Sequence, residues 1–128
     1  MKNYIKLSII VFSLFLFANK PLFSQQPDVY LAFAQVMPQP VGGLPAIYKH
    51  ITYPETAREA HLEGKVYLMV FVNTDGKVDN ITVIKGLGLG CNDAAINAVK
   101  KVAFTPGVNN GVKVKVKLAI QITFQLDN

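Results

Sequence analysis

The sequence is poor in the residues that build disulfides, metal centres and polyanion-binding surfaces. Cys91 is the single cysteine, so one copy of the chain cannot form a disulfide framework or a cysteine-based metal site. The two histidines, His50 and His61, lack the matched spacing of zinc ligands. Three of the 13 basic residues lie among the first 24 positions, which contain no acid, so the formal charge of +5 overstates the charge of the remainder. The ten basic and eight acidic residues that remain give no case for nucleic-acid binding.

Candidate catalytic groups are equally scarce. Nucleophilic catalysis needs a nucleophile beside a base and an orienting group, and Cys91 with either histidine is the one thiol combination. We interpret Cys91 instead as a small, buried residue that packs at the start of a helix. Glu55, Glu59 and Glu63 recur with helical spacing, which favours a solvated helix face over a metal site. The run Gly86–Gly90 lacks the GxGxxG spacing of phosphate-binding loops. We therefore predict no enzymatic activity and no catalytic, cofactor-binding or metal-binding residues.

An export signal is predicted at the N-terminus. Met1–Lys6 carries two lysines, and Leu7–Ala18 is apolar apart from two serines, a pattern typical of a secretory signal. The twelve residues of that run would rise only about 18 Å as a helix, short of the roughly 30 Å hydrocarbon core. We interpret residues 1–24 as a cleaved signal peptide of a periplasmic protein. The alternative is a short inner-membrane anchor whose attached domain faces the periplasm.

The remainder divides into a lead-in, residues 25–45, and a predicted domain, residues 46–128. Four prolines and the Gly42-Gly43 pair discourage regular structure in the lead-in, although its apolar residues could pack on the domain. Three helical segments are predicted in the domain: a short one at Ala46–His50, one from Pro54 to a stop at Gly64, and one capped by Asn92 or Asp93.

The strand pattern determines the predicted fold class. Lys65–Asn73 is apolar on both faces, which is typical of a central strand. A turn at Asn73–Gly76 leads from it into a second predicted strand at Val78–Lys85. From Val112 to Leu126 apolar and polar residues alternate without a break, which predicts one long strand with a single core face. The predicted fold is α+β, with two layers: a three-stranded antiparallel sheet and two helices on one of its faces. The long strand then lies at an edge.

Several short motifs occur in a characteristic order along the domain. They are Tyr53-Pro54, Ala57-Arg58, Glu63-Gly64-Lys65-Val66, Asp75-Gly76-Lys77-Val78, Ala94-Ala95, Phe104-Thr105-Pro106-Gly107, Asn110-Gly111 and Ile120-Gln121-Ile122-Thr123-Phe124. Their order and spacing resemble the C-terminal domain of TonB. Upstream, Met37-Pro38 and Gly42-Gly43 resemble a lead-in of TonB-like proteins from Bacteroidetes-type bacteria. The resemblance covers about Met37 to Leu126.

The resemblance implies a periplasmic protein-binding module for energy-coupled transport. Its partner would be the TonB box, a short segment of a TonB-dependent outer-membrane receptor, added as a strand to the exposed edge of the last strand. The partner-binding residues expected on this basis are Ile51, Thr52, Lys113, Lys115, Lys117, Ala119, Gln121, Thr123 and Gln125. The lysines among them either contact acidic groups of the partner or guard the edge against aggregation.

Departures from a complete TonB leave a second role open. The apolar run contains no histidine of the kind that the family's anchor carries, and the 19 residues of Gln25–Gly43 reach only about 65 Å when extended. Contact with the ExbB–ExbD motor is therefore expected only if the chain is anchored. The alternative function is that of a self-associating envelope protein, which uses the same edge strand to form a homodimer without transducing energy.

Overall fold

The computed structural model describes residues 29–127, so the predicted signal peptide and the first residues of the lead-in lie outside the described residues. The elements follow in the order α1 (Leu44–Tyr48), α2 (Glu55–Glu59), β1 (Gly64–Val72), β2 (Val78–Lys85), α3 (Cys91–Lys100), β3 (Gly107–Asn109), β4 (Val112–Val114) and β5 (Val116–Phe124). None of the helices within residues 29–127 has both the length and the apolarity needed to cross a membrane.

A three-stranded antiparallel sheet in the order β2-β1-β5 forms the centre of the fold. The even-numbered side chains of β1, from Val66 to Val72, are fully buried, whereas Tyr67, Met69 and Phe71 on the other face are half-buried. A strand apolar on both faces gains most from the central position, where neighbours cover its two edges. The prediction of an α+β fold with Lys65–Asn73 as central strand is confirmed.

The hydrophobic core lies between the sheet and the helices. Each helix contributes small or branched residues to it, and β5 contributes its even-numbered side chains. The members from these elements are Ile47, Ala57, Cys91, Ala95, Ala98, Val99, Ile120, Ile122 and Phe124. Full burial of an aliphatic or aromatic side chain stabilises the fold by about 1.5–3 kcal/mol, so this layer holds the helices against one face of the sheet.

The helices differ in their ends from the sequence prediction. Helix α2 stops at Glu59, because His61 takes a left-handed conformation with φ of 52°, so Glu63 is not part of it. Helix α3 begins at Cys91 and has no side-chain cap, which makes the predicted Asn92 or Asp93 cap wrong. The Asn92 side chain instead accepts a hydrogen bond from the Leu87 N–H at 2.8 Å and closes the preceding loop.

The predicted single strand from Val112 to Leu126 is broken. Its first part, β4, turns away from the sheet and pairs with β3 through the left-handed Asn110-Gly111 turn. Lys115 lies between the two strands, and β5 then pairs with β1 alone among the named strands. The alternation of side chains continues through the break, so the sequence pattern carried no sign of it.

The lead-in lies against the domain through three isolated backbone bridges. Leu31 pairs with Val116 in parallel orientation, Val36 pairs with Val108, and Pro40 pairs with Phe104. Two of its side chains, Ala34 and Pro38, are buried. Part of the lead-in therefore packs on the domain, although the side chains of Leu31, Phe33 and Val36 are exposed. The first of the three bridges falls on the outer edge of β5.

Candidate partner-binding edge

Strand β5 combines a regular inner edge with a partly open outer edge. Its ladder with β1 runs without a register shift from Gly64↔Phe124 to Val72↔Val116. In an antiparallel pair, alternate residues turn their backbone groups toward the partner and away from it. The N–H groups of Lys117 and Thr123 bind groups outside this ladder, so the odd-numbered residues face outward.

The lead-in occupies the beginning of the outer edge. The Leu31 N–H donates to the Lys115 carbonyl at 2.9 Å, and the Lys117 N–H donates to the Leu31 carbonyl at 2.9 Å. An added strand therefore cannot pair with the edge from Lys115 to the Lys117 N–H while Leu31 stays in place. The predicted fully open strand edge is wrong for this part, because the chain pairs with it itself.

A tyrosine occupies the far part of the edge. The Thr123 N–H donates to the hydroxyl oxygen of Tyr48 at 3.0 Å. Tyr48 is the last residue of α1, beside the fully buried Ile47, so the helix holds the ring at the edge while leaving 39% of the side chain exposed. No sequence pattern pointed to Tyr48 or Leu31 as edge residues.

Between these two contacts lies a short open segment, which we call the open window: the outward backbone groups of Ala119 and Gln121. Within the described part of the chain, neither residue has a hydrogen-bond partner on its outward N–H or carbonyl. Both side chains are exposed, and Lys117 beside them is half-buried. The window presents two donors and two acceptors in strand geometry, which is what an added strand requires.

The second edge of the sheet, along β2, is irregular by comparison. Its pairing with β1 has register shifts at two places, between Tyr67 and Leu68 and between Phe71 and Val72. The Ile81 N–H is bound by the Asn80 side chain at 2.9 Å. Bulges and capped donors are common protections of edge strands. Of the two sheet edges, β5 is therefore the one suited to strand addition.

An aromatic contact fixes the lead-in next to β5. The Tyr30 ring lies edge-on to Phe71 with centroids 5.1 Å apart, and the Lys115 Nζ lies 5.6 Å from the Tyr30 centroid. The Tyr30 hydroxyl donates a hydrogen bond to the Asp79 carboxylate. This hydrogen bond, with a second one from Asn73, lowers the pKa of Asp79. Tyr30 thus joins the lead-in to β1 and β2 at the point where Leu31 reaches β5.

The structure places the strand residues predicted to bind a partner in different surroundings. Ala119 and Gln121 form the open window, with Lys117 and Thr123 at its ends. Gln125 is exposed just past the end of β5, and Lys113 is exposed in β4, on the other side of the Leu31 contact from the window. Lys115 lies over the Tyr30 ring.

Ile51 and Thr52 immediately precede Tyr53, whose ring contacts the C-terminal end of β5. Ile51 packs against the core, Thr52 is exposed, and the following Tyr53 ring contacts Phe124 edge-on at 5.5 Å. The Tyr53 hydroxyl donates to the Leu62 carbonyl. The Tyr53-Pro54 motif thus connects the end of β5 to helix α2.

The residues considered for catalysis or metal binding differ in their exposure. Cys91 is fully buried, and burial raises the pKa of its thiol, which disfavours the thiolate needed for nucleophilic attack. His50 and His61 are exposed. Glu63 accepts a hydrogen bond from the Leu126 N–H at 2.8 Å, so it ties the C-terminal segment to the start of β1. Residues 29–127 contain no group of three or more His, Cys, Asp or Glu placed to hold a metal ion.

Comparison with known proteins decides the family. The sequence model of the Gram-negative bacterial TonB protein C-terminal family matches residues 49–126. The chain belongs to the TonB C-terminal domain family. No curated protein matches the chain. Membership implies a TonB-like role in energy-coupled transport. TonB C-terminal domains are non-enzymatic modules that face the periplasm and generally interact with outer-membrane receptors.

Solved TonB C-terminal domains share the fold. The Helicobacter pylori TonB C-terminal domain, solved in solution by NMR, shares 30% sequence identity with this chain. The two structures superpose with a TM-score of 0.52, and the match covers 66% of this chain and 89% of that one. The Pseudomonas aeruginosa TonB C-terminal domain is 25% identical with a TM-score of 0.50, over 61% of this chain and 80% of that one. The family match begins at Lys49, so the lead-in and Tyr48 lie upstream of it.

Proposed function

We propose that this TonB C-terminal domain binds the box segment of an outer-membrane receptor by strand addition at the open window of β5. The observation that carries the proposal is the pair of residues, Ala119 and Gln121, whose outward backbone groups have no partner within the described residues. Each backbone hydrogen bond of an added strand contributes about 0.5–1.5 kcal/mol net, so four such bonds support a weak, reversible complex.

The contrast between the two sheet edges supports this assignment. Strand β5 keeps an unbroken register over all nine pairs with β1, whereas β2 has two register shifts. Lys117 brings a positive charge beside the window without closing its backbone. An edge left regular at one place, while the other edge is protected, indicates a site kept for a partner.

A proline at position 119 tests the proposal. Ala119 pairs with Met69, but its N–H faces outward, so Ala119→Pro keeps the ladder with β1 while removing one donor of the window. Edge strands tolerate proline at such positions. We expect Ala119→Pro to weaken binding of a synthetic receptor-box peptide by about 2- to 12-fold, the equivalent of about 0.5–1.5 kcal/mol.

Ala119→Val is the matched control, because it keeps the donor and changes only an exposed side chain. Binding is measured by two-dimensional NMR titration, which also reports where the peptide binds. Equal binding by the proline and valine variants, or shifts confined to α2, would refute strand addition at this edge. Sedimentation of the peptide-free chain distinguishes the self-pairing alternative, because a dimer through the same edge would dissociate on dilution and in the proline variant.

A further inference from the structure

The two contacts that bound the open window differ in how firmly they are held. Leu31 is fixed by two backbone hydrogen bonds, and its neighbour Tyr30 contacts both Phe71 and Asp79. The Lys117 end of the window is therefore closed by main chain with a side-chain anchor next to it. A partner strand would have to detach the lead-in to extend past this end.

The other end is closed by a single side-chain atom. Within residues 29–127, the Tyr48 hydroxyl is the one hydrogen-bond partner of the Thr123 N–H, and Tyr48 is 39% exposed. Rotation of the Tyr48 side chain uncovers this N–H without moving α1, whose place in the core depends on the fully buried Ile47. The window therefore has one fixed end and one end that a longer partner opens by displacing one hydrogen bond.

From this asymmetry, and on the basis of the proposed function, we propose that the edge selects partner segments by length and that Tyr48 is the selecting residue. The stretch from Lys117 to Thr123 spans about 20 Å, which matches an extended segment of about five residues. Such a segment pairs with Ala119 and Gln121 and leaves Tyr48 in place. A longer segment reaches the Thr123 N–H and must first remove the tyrosine hydroxyl.

The side chains at the window define the chemistry of the segment. Odd-numbered residues of β5 point to the sheet face away from the helices, where Gln121 lies beside Tyr67 and Ala119 beside Met69. Lys117, beside Phe71, is the charged residue at the fixed end. The preferred partner is therefore a short extended segment that carries an acidic residue near Lys117 and a small or apolar residue beside Ala119.

The bounded window is tested first without any peptide. Amide hydrogen exchange of the full chain, followed by NMR, is expected to show slower exchange at Lys117 and Thr123 than at Ala119 and Gln121. In Tyr48→Phe, which removes one oxygen and keeps the ring, exchange at Thr123 is expected to accelerate and exchange at Lys117 to stay unchanged. Equal exchange at all four amides, or no change at Thr123 in the variant, would overturn the role of Tyr48.

Peptide length is tested next, with two synthetic receptor-box peptides of five and nine residues that share the same central sequence. Tyr48→Phe is expected to tighten binding of the nine-residue peptide about 2- to 12-fold, the equivalent of one hydrogen bond. The affinity for the five-residue peptide is expected to stay the same. Thr82→Val is the matched control, since it removes an exposed hydroxyl from β2 and no partner of the β5 edge amides.

The outcomes separate this inference from the proposed function. If both peptides bind but Tyr48→Phe changes their affinities equally, length selection is refuted and strand addition stands. If neither peptide binds the wild-type chain or the variant, the proposed function is refuted and length selection with it. If the nine-residue peptide alone gains affinity, while Thr123 alone loses exchange protection, both are supported.

Discussion

Replacing Gly76 with alanine tests the contact that holds the β1–β2 turn against the segment before β3. Gly76 is buried and has a φ of 79°, and a Cβ built on it would lie 2.0 Å from the Phe104 carbonyl oxygen. The Phe104 N–H also donates to the Gly76 carbonyl at 3.1 Å. An alanine therefore requires Phe104 to move, and this movement disrupts a hydrogen bond between two segments distant in sequence.

The magnitude follows from two contributions. A left-handed alanine costs about 1–2 kcal/mol, and the hydrogen bond lost when Phe104 moves contributes about 0.5–1.5 kcal/mol. We expect Gly76→Ala to lower the free energy of unfolding by about 2–4 kcal/mol, including relief of the close contact. Urea unfolding followed by circular dichroism measures this loss, provided that the slope with denaturant stays the same.

Gly111→Ala is the matched control for the backbone conformation. Gly111 has a φ of 77°, close to that of Gly76, but a Cβ there would meet no atom within 4 Å. Its alanine variant should lose only the left-handed contribution of about 1–2 kcal/mol. Equal losses in the two variants would show that Phe104 yields to a Cβ at no cost, and would refute the close-contact reasoning.

Two further predictions concern the Asp79 carboxylate, which binds Tyr30 of the lead-in, and the Cys91 thiol in the core. Because the hydrogen bond from Tyr30 lowers the pKa of Asp79, this contact stabilises the fold above the ordinary carboxyl pKa and is lost as pH falls through the lowered value. The NMR signals of the Tyr30 ring should change as Asp79 becomes protonated at this acidic pH, and the change should be absent in Asp79→Asn. A titration midpoint at or above the ordinary carboxyl pKa would contradict the lowered pKa of Asp79. Because Cys91 is buried and its pKa is raised, a thiol reagent should label it only as fast as the chain opens. Immediate labelling of the folded chain at neutral pH would show that the thiol is accessible.

The central part of the fold was predictable because its sequence admits few alternatives. Lys65–Asn73 is apolar on both faces, and a strand of that kind is stable only with neighbours on each side. The Asp75-Gly76 turn was predictable because a left-handed residue is needed there, and Gly76 has a φ of 79°. At both places the local sequence alone was enough to predict the structure.

The errors arose where distant segments decide the local structure. Val112–Val114 leaves the sheet because Gly107–Asn109 offers a partner, although that short segment carries no strand pattern of its own. Helix α2 ends early because His61 adopts a left-handed φ of 52°, a conformation that is uncommon for residues other than glycine, although histidine adopts it more often than most. In both cases the hydrophobic pattern is the same in the predicted and the observed arrangement.

The candidate site was predictable only in part. Alternation along β5 identifies which side chains face the core, and the lysines indicated an edge. It does not identify which backbone groups are already bound, because Leu31 and Tyr48 reach the edge from elsewhere in the chain. The open window was therefore predicted as part of a longer edge, and its two ends required the three-dimensional arrangement.

The irregular β2 edge has a consequence for how many copies or partners can associate. Growth into a fibril requires two usable edges on every subunit, one to receive a strand and one to offer its own. Here the register shifts and the Asn80 cap make the β2 edge poorly suited to pairing with another strand. This sheet can therefore accept an added strand at one edge, that of β5. Association through β5 ends with a single added strand or a closed pair, and concentrated chains are protected from endless β-polymerisation even while one edge stays available.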